Sequence, residues 1–66
     1  MTREEQRDVA LVIERLKQHY AQLPETTVTA VVTAVHAKFR NVRTRSLVPA
    51  LVERFSTREL THLATA

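Results

Sequence analysis

The chain has 66 residues, no glycine, no cysteine, two prolines and a net charge of +3. A chain of this length forms one domain, which buries only about 60% of the surface that its unfolded form exposes. Without cysteine it can form neither disulfides nor thiolate metal sites, so a partner chain is the expected source of additional stability. The absence of glycine argues against an all-β sandwich or barrel, which normally needs glycine-rich turns.

The N-terminal residues 1–8 are mostly charged or polar and contain no apolar run of secretory length. No segment approaches the roughly 20 apolar residues of a membrane span. We therefore expect a soluble cytoplasmic protein with no signal peptide and no membrane contact.

The first predicted element is a helix over residues 3–22. Thr2 and Glu5 fit a capping box, in which each side chain binds a backbone N–H group at the start of the helix. Leu11 points away from the apolar face of this helix. The residues with the spacing of that face are Val9, Val12, Ile13, Leu16, Tyr20 and Leu23.

The second predicted element is a helix over residues 25–40. Its many β-branched residues favour a strand, but the Val31-Val32 pair breaks the alternation that a strand requires. The apolar positions instead match a helix, and three alanines form a second stripe on its other side. A helix that is apolar on two sides is usually covered on two sides. The helical spacing is carried by Val28, Val31, Val32, Val35 and Phe39, and the second stripe by Ala30, Ala34 and Ala37.

The third predicted element is a helix over residues 46–63. Ser46 is the expected N-cap, which places Pro49 in the first turn, where its missing N–H group breaks no helical bond. Residues 56–59 resemble another capping box, so a break or kink near Ser56 stays open. One broad apolar face is expected from Leu47, Val48, Leu51, Val52 and Phe55.

Three helices with short connections predict a single all-α domain over residues 1–66, a three-helix bundle with up-down topology. No internal repeat or linker divides the chain. The expected core consists of Val9, Ile13, Leu16, Tyr20, Val28, Val32, Val35, Phe39, Leu51 and Phe55.

Three runs of residues resemble a known family. They are residues 20–24 at the end of the first helix, residues 35–39 in the second, and residues 47–55 in the third. Together they resemble a family of small bacterial proteins described as three-helix bundle dimerization domains. Similar segments also occur at the N-terminus of phosphatase-like arsenate reductases. The resemblance covers about residues 9–60.

The resemblance implies an all-helical fold and self-association. It implies no catalysis, because the phosphatase part of the fused proteins needs a nucleophilic cysteine and this chain has none. Relatives tend to continue the last helix with alanine and arginine, whereas this chain has Ser56 and Thr57. That departure leaves the length of the third helix open.

The residues themselves give no sign of catalysis or of metal binding. No glycine is present to form a nucleophile elbow or a phosphate-binding loop. His19, His36 and His62 lie on three different segments and form no His-x-x-x-His pair. We expect His36 beside the apolar face near Phe39, and the other two histidines in solvent. No enzyme activity, cofactor, metal or small-molecule ligand is expected.

The positive charge is concentrated in one short loop. Arg40, Arg43 and Arg45 precede the third helix and could contact phosphates. A helix-turn-helix module that binds nucleic acid through this loop is therefore an alternative function. Glu53 and Glu59 on the third helix argue against it, because that helix would have to approach a phosphate backbone.

The preferred hypothesis is a non-catalytic interaction module that forms a homodimer. Three apolar faces around one axis complete a core, and the apolar residues left over indicate a contact surface. An accessory subunit that binds a different protein is a further alternative. The predicted dimer interface consists of Leu11, Ala30, Ala34, Ala37, Val48, Val52 and Leu60.

Overall fold

The computed structural model describes residues 3–65. They form three α-helices, α1 (Arg3–His19), α2 (Glu25–Lys38) and α3 (Val48–Thr65), with a 3₁₀ turn (Arg45–Leu47) immediately before α3. Each helix packs against the other two, and this part of the chain contains no β-strand. The predicted all-α three-helix bundle is confirmed. The predicted capping role of Thr2 lies outside the described residues.

Hydrogen bonds at the two ends of the bundle define the direction of the helices. Glu5 near the start of α1 binds Arg45, which precedes α3. Tyr20, which follows α1, binds Thr57 and Thr61 near the end of α3. Helices α1 and α3 therefore run in the same direction. The short connections through α2 make that helix run the opposite way, as in an up-down bundle.

Helix α1 ends at His19, three residues before the predicted end at residue 22. The chain turns over residues 20–23, where the Leu23 N–H donates to the Tyr20 carbonyl at 2.9 Å. Pro24 disfavours helical geometry at the residue before it. Its own carbonyl accepts the first helical bonds of α2, from the N–H groups of Thr27 and Val28.

Helix α2 forms despite its β-branched residues because packing on two neighbours outweighs their low helix propensity. Val28 and Val32 are fully buried, and Val35 is nearly so. The second stripe, Ala30, Ala34 and Ala37, stays exposed. The helix ends at Lys38, two residues before the predicted end.

Helix α3 is continuous past Ser56 and extends to Thr65, beyond the predicted end at residue 63. The predicted N-cap Ser46 lies inside the 3₁₀ turn, and Pro49 is in the first turn of the α-helix that follows. Ser56 is fully buried in the middle of α3, and its Oγ has no hydrogen-bond partner among residues 3–65. Residues 56–59, which resemble a second capping box, lie inside the continuous helix and cause no break.

The core of α3 differs from the prediction. Leu51 and Phe55 were expected in the core, but Leu51 is half-buried and Phe55 is 42% exposed. Leu47, on the same predicted face, is 55% exposed. The fully buried row instead repeats every four residues, the spacing along one ridge of a helix. Of the expected core in α1 and α2, all but Ile13 and Phe39 are buried, and those two pack on the core at its edge. The buried row of α3 is Val48, Val52, Ser56 and Leu60.

Three members of the predicted dimer interface are therefore wrong. Val48, Val52 and Leu60 are 0% exposed within a single chain. They fill the space between α1 and α2, so no second chain can contact them while the bundle is folded. The four other predicted interface residues, Leu11, Ala30, Ala34 and Ala37, are exposed.

Candidate functional site

An open groove of about 830 Å³ runs between α2 and α3 on the surface of the bundle. We call it the α2–α3 groove. Aliphatic and aromatic side chains lie beside three formal charges and one histidine in its lining. The lining residues are Ala34, Val35, Lys38, Phe39, Phe55, Arg58, Glu59 and His62.

Two aromatic rings form the apolar part of this groove. Phe39 follows α2 and Phe55 lies in α3, and their ring centroids are 5.5 Å apart with the planes tilted by 48°. Aromatic pairs at this separation attract each other. Phe39 is half-buried, whereas 42% of Phe55 remains accessible to solvent. A large apolar side chain is thus held in place and still open to a partner.

The exposed members of the predicted interface do not form one surface. Ala34 lines the α2–α3 groove, and Ala30 and Ala37 lie on the exposed side of α2. Leu11, which is 55% exposed, lines a smaller groove of about 250 Å³ between α1 and α3, beside Ala50. Sequence reasoning missed Phe55 as a surface residue because it was assigned to the core.

One of the three arginines predicted to contact anions, Arg45, forms hydrogen bonds within the chain. The Arg45 guanidinium binds the Glu5 carboxylate through two bonds, from Nε at 2.9 Å and from Nη2 at 2.7 Å. Its Nη1 donates to the carbonyl oxygens of Phe39, Arg40 and Val42 at 2.8, 3.1 and 3.0 Å. Arg45 is therefore already bound within the chain, whereas Arg40 and Arg43 are exposed.

Glu5 joins the three segments at this end of the bundle. Besides Arg45, it binds His36 of α2, whose Nε2 donates to Oε2 at 2.7 Å. Nε2 carries the proton because an ionised carboxylate can only accept. Hydrogen bonds from Arg45 and then from His36 lower the pKa of Glu5 from 4.5 to about 2. The same Glu5 carboxylate raises the pKa of Arg45 above its usual value.

The donors of the Glu5 cluster hold the ends of the helices together. Arg45 also binds the carbonyl oxygens of Phe39 and Arg40 in the turn that follows α2. Residues 3–65 contain no group of three or more histidine, aspartate or glutamate side chains placed to bind a metal ion. His19 and His62 are exposed, as predicted. Among residues 3–65, none of the helices has the length and apolar character to cross a bilayer.

The structure thus contains an open groove between α2 and α3 and an internal polar cluster around Glu5. Comparisons with protein-family models, with curated proteins and with solved structures found no match to this chain. The resemblance to the dimerization family accordingly stays a prediction, and the candidate site depends on its own geometry.

Proposed function

We propose that this protein is a non-catalytic helical module that associates with a second copy of itself through the α2–α3 groove. The observation that carries the proposal is Phe55, which is 42% exposed and lines the surface groove beside Phe39. Aromatic side chains are enriched among the residues that contribute most to protein–protein binding. Covering Phe55 removes apolar surface from water, which favours association.

The side of α2 next to the groove supports this proposal. Ala34 lines the groove and Ala30 and Ala37 lie near it on the same helix. Small side chains allow a second helix to approach closely, toward the lower end of the roughly 8–10 Å range of helix separations. Association at this surface supplies the buried area that a chain of 66 residues has difficulty providing alone.

Sedimentation equilibrium over a concentration series tests the proposal. We expect the native chain to dimerise and Phe55→Gln to shift the equilibrium toward monomer by about tenfold or more in the dissociation constant. Leu47→Gln is the matched control, because Leu47 is also an exposed large apolar residue but does not line the groove. It should leave the dissociation constant unchanged.

Two results would contradict the proposal. One is a native chain that stays monomeric at several hundred micromolar, roughly the concentration at which weak specific dimers form. The other is a dimer that Phe55→Gln leaves intact. If Leu11→Gln dissociates that dimer instead, the interface is the smaller groove between α1 and α3.

A further inference from the structure

The charged residues of the α2–α3 groove have no ion-pair partners among residues 3–65. Lys38, Arg58 and Glu59 line it, and the ion pairs of residues 3–65 all involve other residues. Arg58 and Glu59 are adjacent in sequence, so their side chains leave α3 in different directions and do not face each other. The groove therefore presents both signs of charge, each unpaired.

The groove on the other side of α3 differs in this respect. There Arg15 of α1 and Glu53 of α3 form an ion pair at 3.0 Å across the helices. Among residues 3–65 an ion pair thus crosses this groove, although Asp8, which also lines it, is in no ion pair, whereas none crosses the α2–α3 groove. The charges of Arg58 and Glu59 therefore remain available to another molecule.

We infer that two copies meet through their α2–α3 grooves about a two-fold axis, with Arg58 of each copy bound to Glu59 of the other. The inference rests on the proposed function and specifies its geometry. In a two-fold interface, if residue i of one copy contacts residue j of the other, then j also contacts i. Arg58 and Glu59 of each copy therefore form two ion pairs across the axis.

Other occupants fit these charges less well. An acidic helix would pair with Lys38 and Arg58 but would place its carboxylates against Glu59. A basic helix would pair with Glu59 but oppose both cations. A phosphate backbone would meet the same repulsion from Glu59. Only a partner that carries both signs in the reciprocal arrangement pairs Arg58 and Glu59 together, and a second copy does so by symmetry.

The size of the bundle is sufficient for such a dimer. A stable interface of standard size takes about 800 Å² from each partner. The accessible surface of the protein is 4909 Å², so the interface would use about one sixth of it. The bundle measures 34 × 18 × 15 Å, and the α2–α3 groove lies on one of its sides.

A charge-reversal experiment tests the pairing. Arg58→Glu and Glu59→Arg each place like charges opposite one another at both pairs, and we expect each to raise the dissociation constant about tenfold at low salt. An equimolar mixture of the two variants restores opposite charges at both contacts. It should form a heterodimer with nearly native affinity. The double variant R58E/E59R should regain native homodimerisation.

Two controls accompany the charge reversals. Lys38→Gln should have a smaller effect than Arg58→Gln, because the pairing is assigned to Arg58. Circular dichroism of each variant checks that the helices are intact, and the double variant shows that both substitutions are compatible with folding.

The possible failures are distinguishable. A monomeric native chain overturns the proposed function and this inference together. A dimer that Phe55→Gln dissociates, but that neither charge reversal weakens, overturns the pairing and leaves the proposed function standing. If both reversals weaken the dimer and their mixture does not restore it, the two-fold exchange between Arg58 and Glu59 is wrong. A larger effect at Lys38 than at Arg58 also contradicts the pairing.

Discussion

Glu5 is the only charged side chain that the bundle buries among residues 3–65. A buried carboxylate is costly unless it is paired and hydrogen-bonded. Here Arg45 supplies two hydrogen bonds in a bidentate arrangement and His36 supplies a third. The cluster connects α1, α2 and the turn before α3, so its removal acts on the tertiary structure and not on one helix alone.

Replacement of Glu5 should therefore destabilise the protein. Glu5→Gln keeps the shape of the side chain but removes the charge that Arg45 and His36 bind. We expect the free energy of unfolding at neutral pH to fall by about 2–3 kcal/mol, measured by urea unfolding. Glu4→Gln is the matched control in the same helical turn. Glu4 is exposed, and its replacement should change stability by no more than about 0.5 kcal/mol.

The low pKa of Glu5 also predicts how stability depends on pH. The pKa is about 2 in the folded protein and 4.5 ordinarily, so the stabilisation is complete above the ordinary value and is lost as pH falls toward the folded value. The difference between native chain and Glu5→Gln should be constant above about pH 5 and shrink below about pH 4.5. A difference that stays constant down to about pH 2 would show that Glu5 is not selectively stabilised in its ionised form.

At the scale of helices, α3 shows which side of a broad apolar stripe is buried. The buried row passes through Val52 and Leu60, and the neighbouring row through Leu47, Leu51 and Phe55 lies at the edge or on the surface. Side chains four residues apart form one ridge of a helix. The ridge that fits between α1 and α2 contains Ser56, whose small side chain occupies the centre of the helix packing.

Truncation of two leucines distinguishes these rows. Leu60→Ala removes a fully buried side chain and should lower the free energy of unfolding by about 3 kcal/mol. Leu47→Ala removes a side chain that is 55% exposed and should cost no more than about 0.5 kcal/mol. Thermal and urea unfolding of both variants measure the difference. Equal losses would mean that the buried row of α3 is misassigned.

The elements could be predicted from sequence to different extents. In α1 and α2 the buried residues other than Glu5 are apolar, so helical spacing identified the buried valines and Leu16. In α3 the polar Ser56 interrupts the buried row and hides Leu60 from the pattern. The turn over residues 20–23 before Pro24 ends α1 at His19, earlier than predicted. Helix ends are less predictable from sequence than the helices themselves. The existence of three helices was predictable, whereas the buried face of the last one was not.

The sites were harder to predict because they depend on contacts between distant residues. Glu5 lies 31 residues from His36 and 40 from Arg45. Its position in the first turn of α1 suggested a helix cap, and the arginine suggested a surface loop. Only packing brings them together. No groove was predicted, and Ala34 is the residue that the predicted interface shares with the lining of the α2–α3 groove. Phe55 was assigned to the core because its spacing matches an apolar helical face, and spacing alone does not show that the residue lies at a surface groove.

For the whole molecule, association and folding should be linked. If the dimer contributes to stability, mass action makes the melting temperature depend on protein concentration. We expect it to rise by about 5 °C between roughly 2 and 200 µM for the native chain, measured by circular dichroism. Phe55→Gln should show a smaller rise over the same range. A native chain with no concentration dependence would indicate that the bundle is stable without a partner.

The polar contacts at opposite ends of the bundle have a consequence for the uniqueness of the fold. Seven of the ten buried apolar residues among residues 3–65 are valines, and side chains of one shape distinguish little between alignments that differ by a slip of α1 by one turn, about 5.4 Å. The same slip would separate Glu5 from Arg45 and the Tyr20 hydroxyl from Thr61, which it meets at 2.6 Å. A repetitive interior thus acquires a single alignment from two specific anchors.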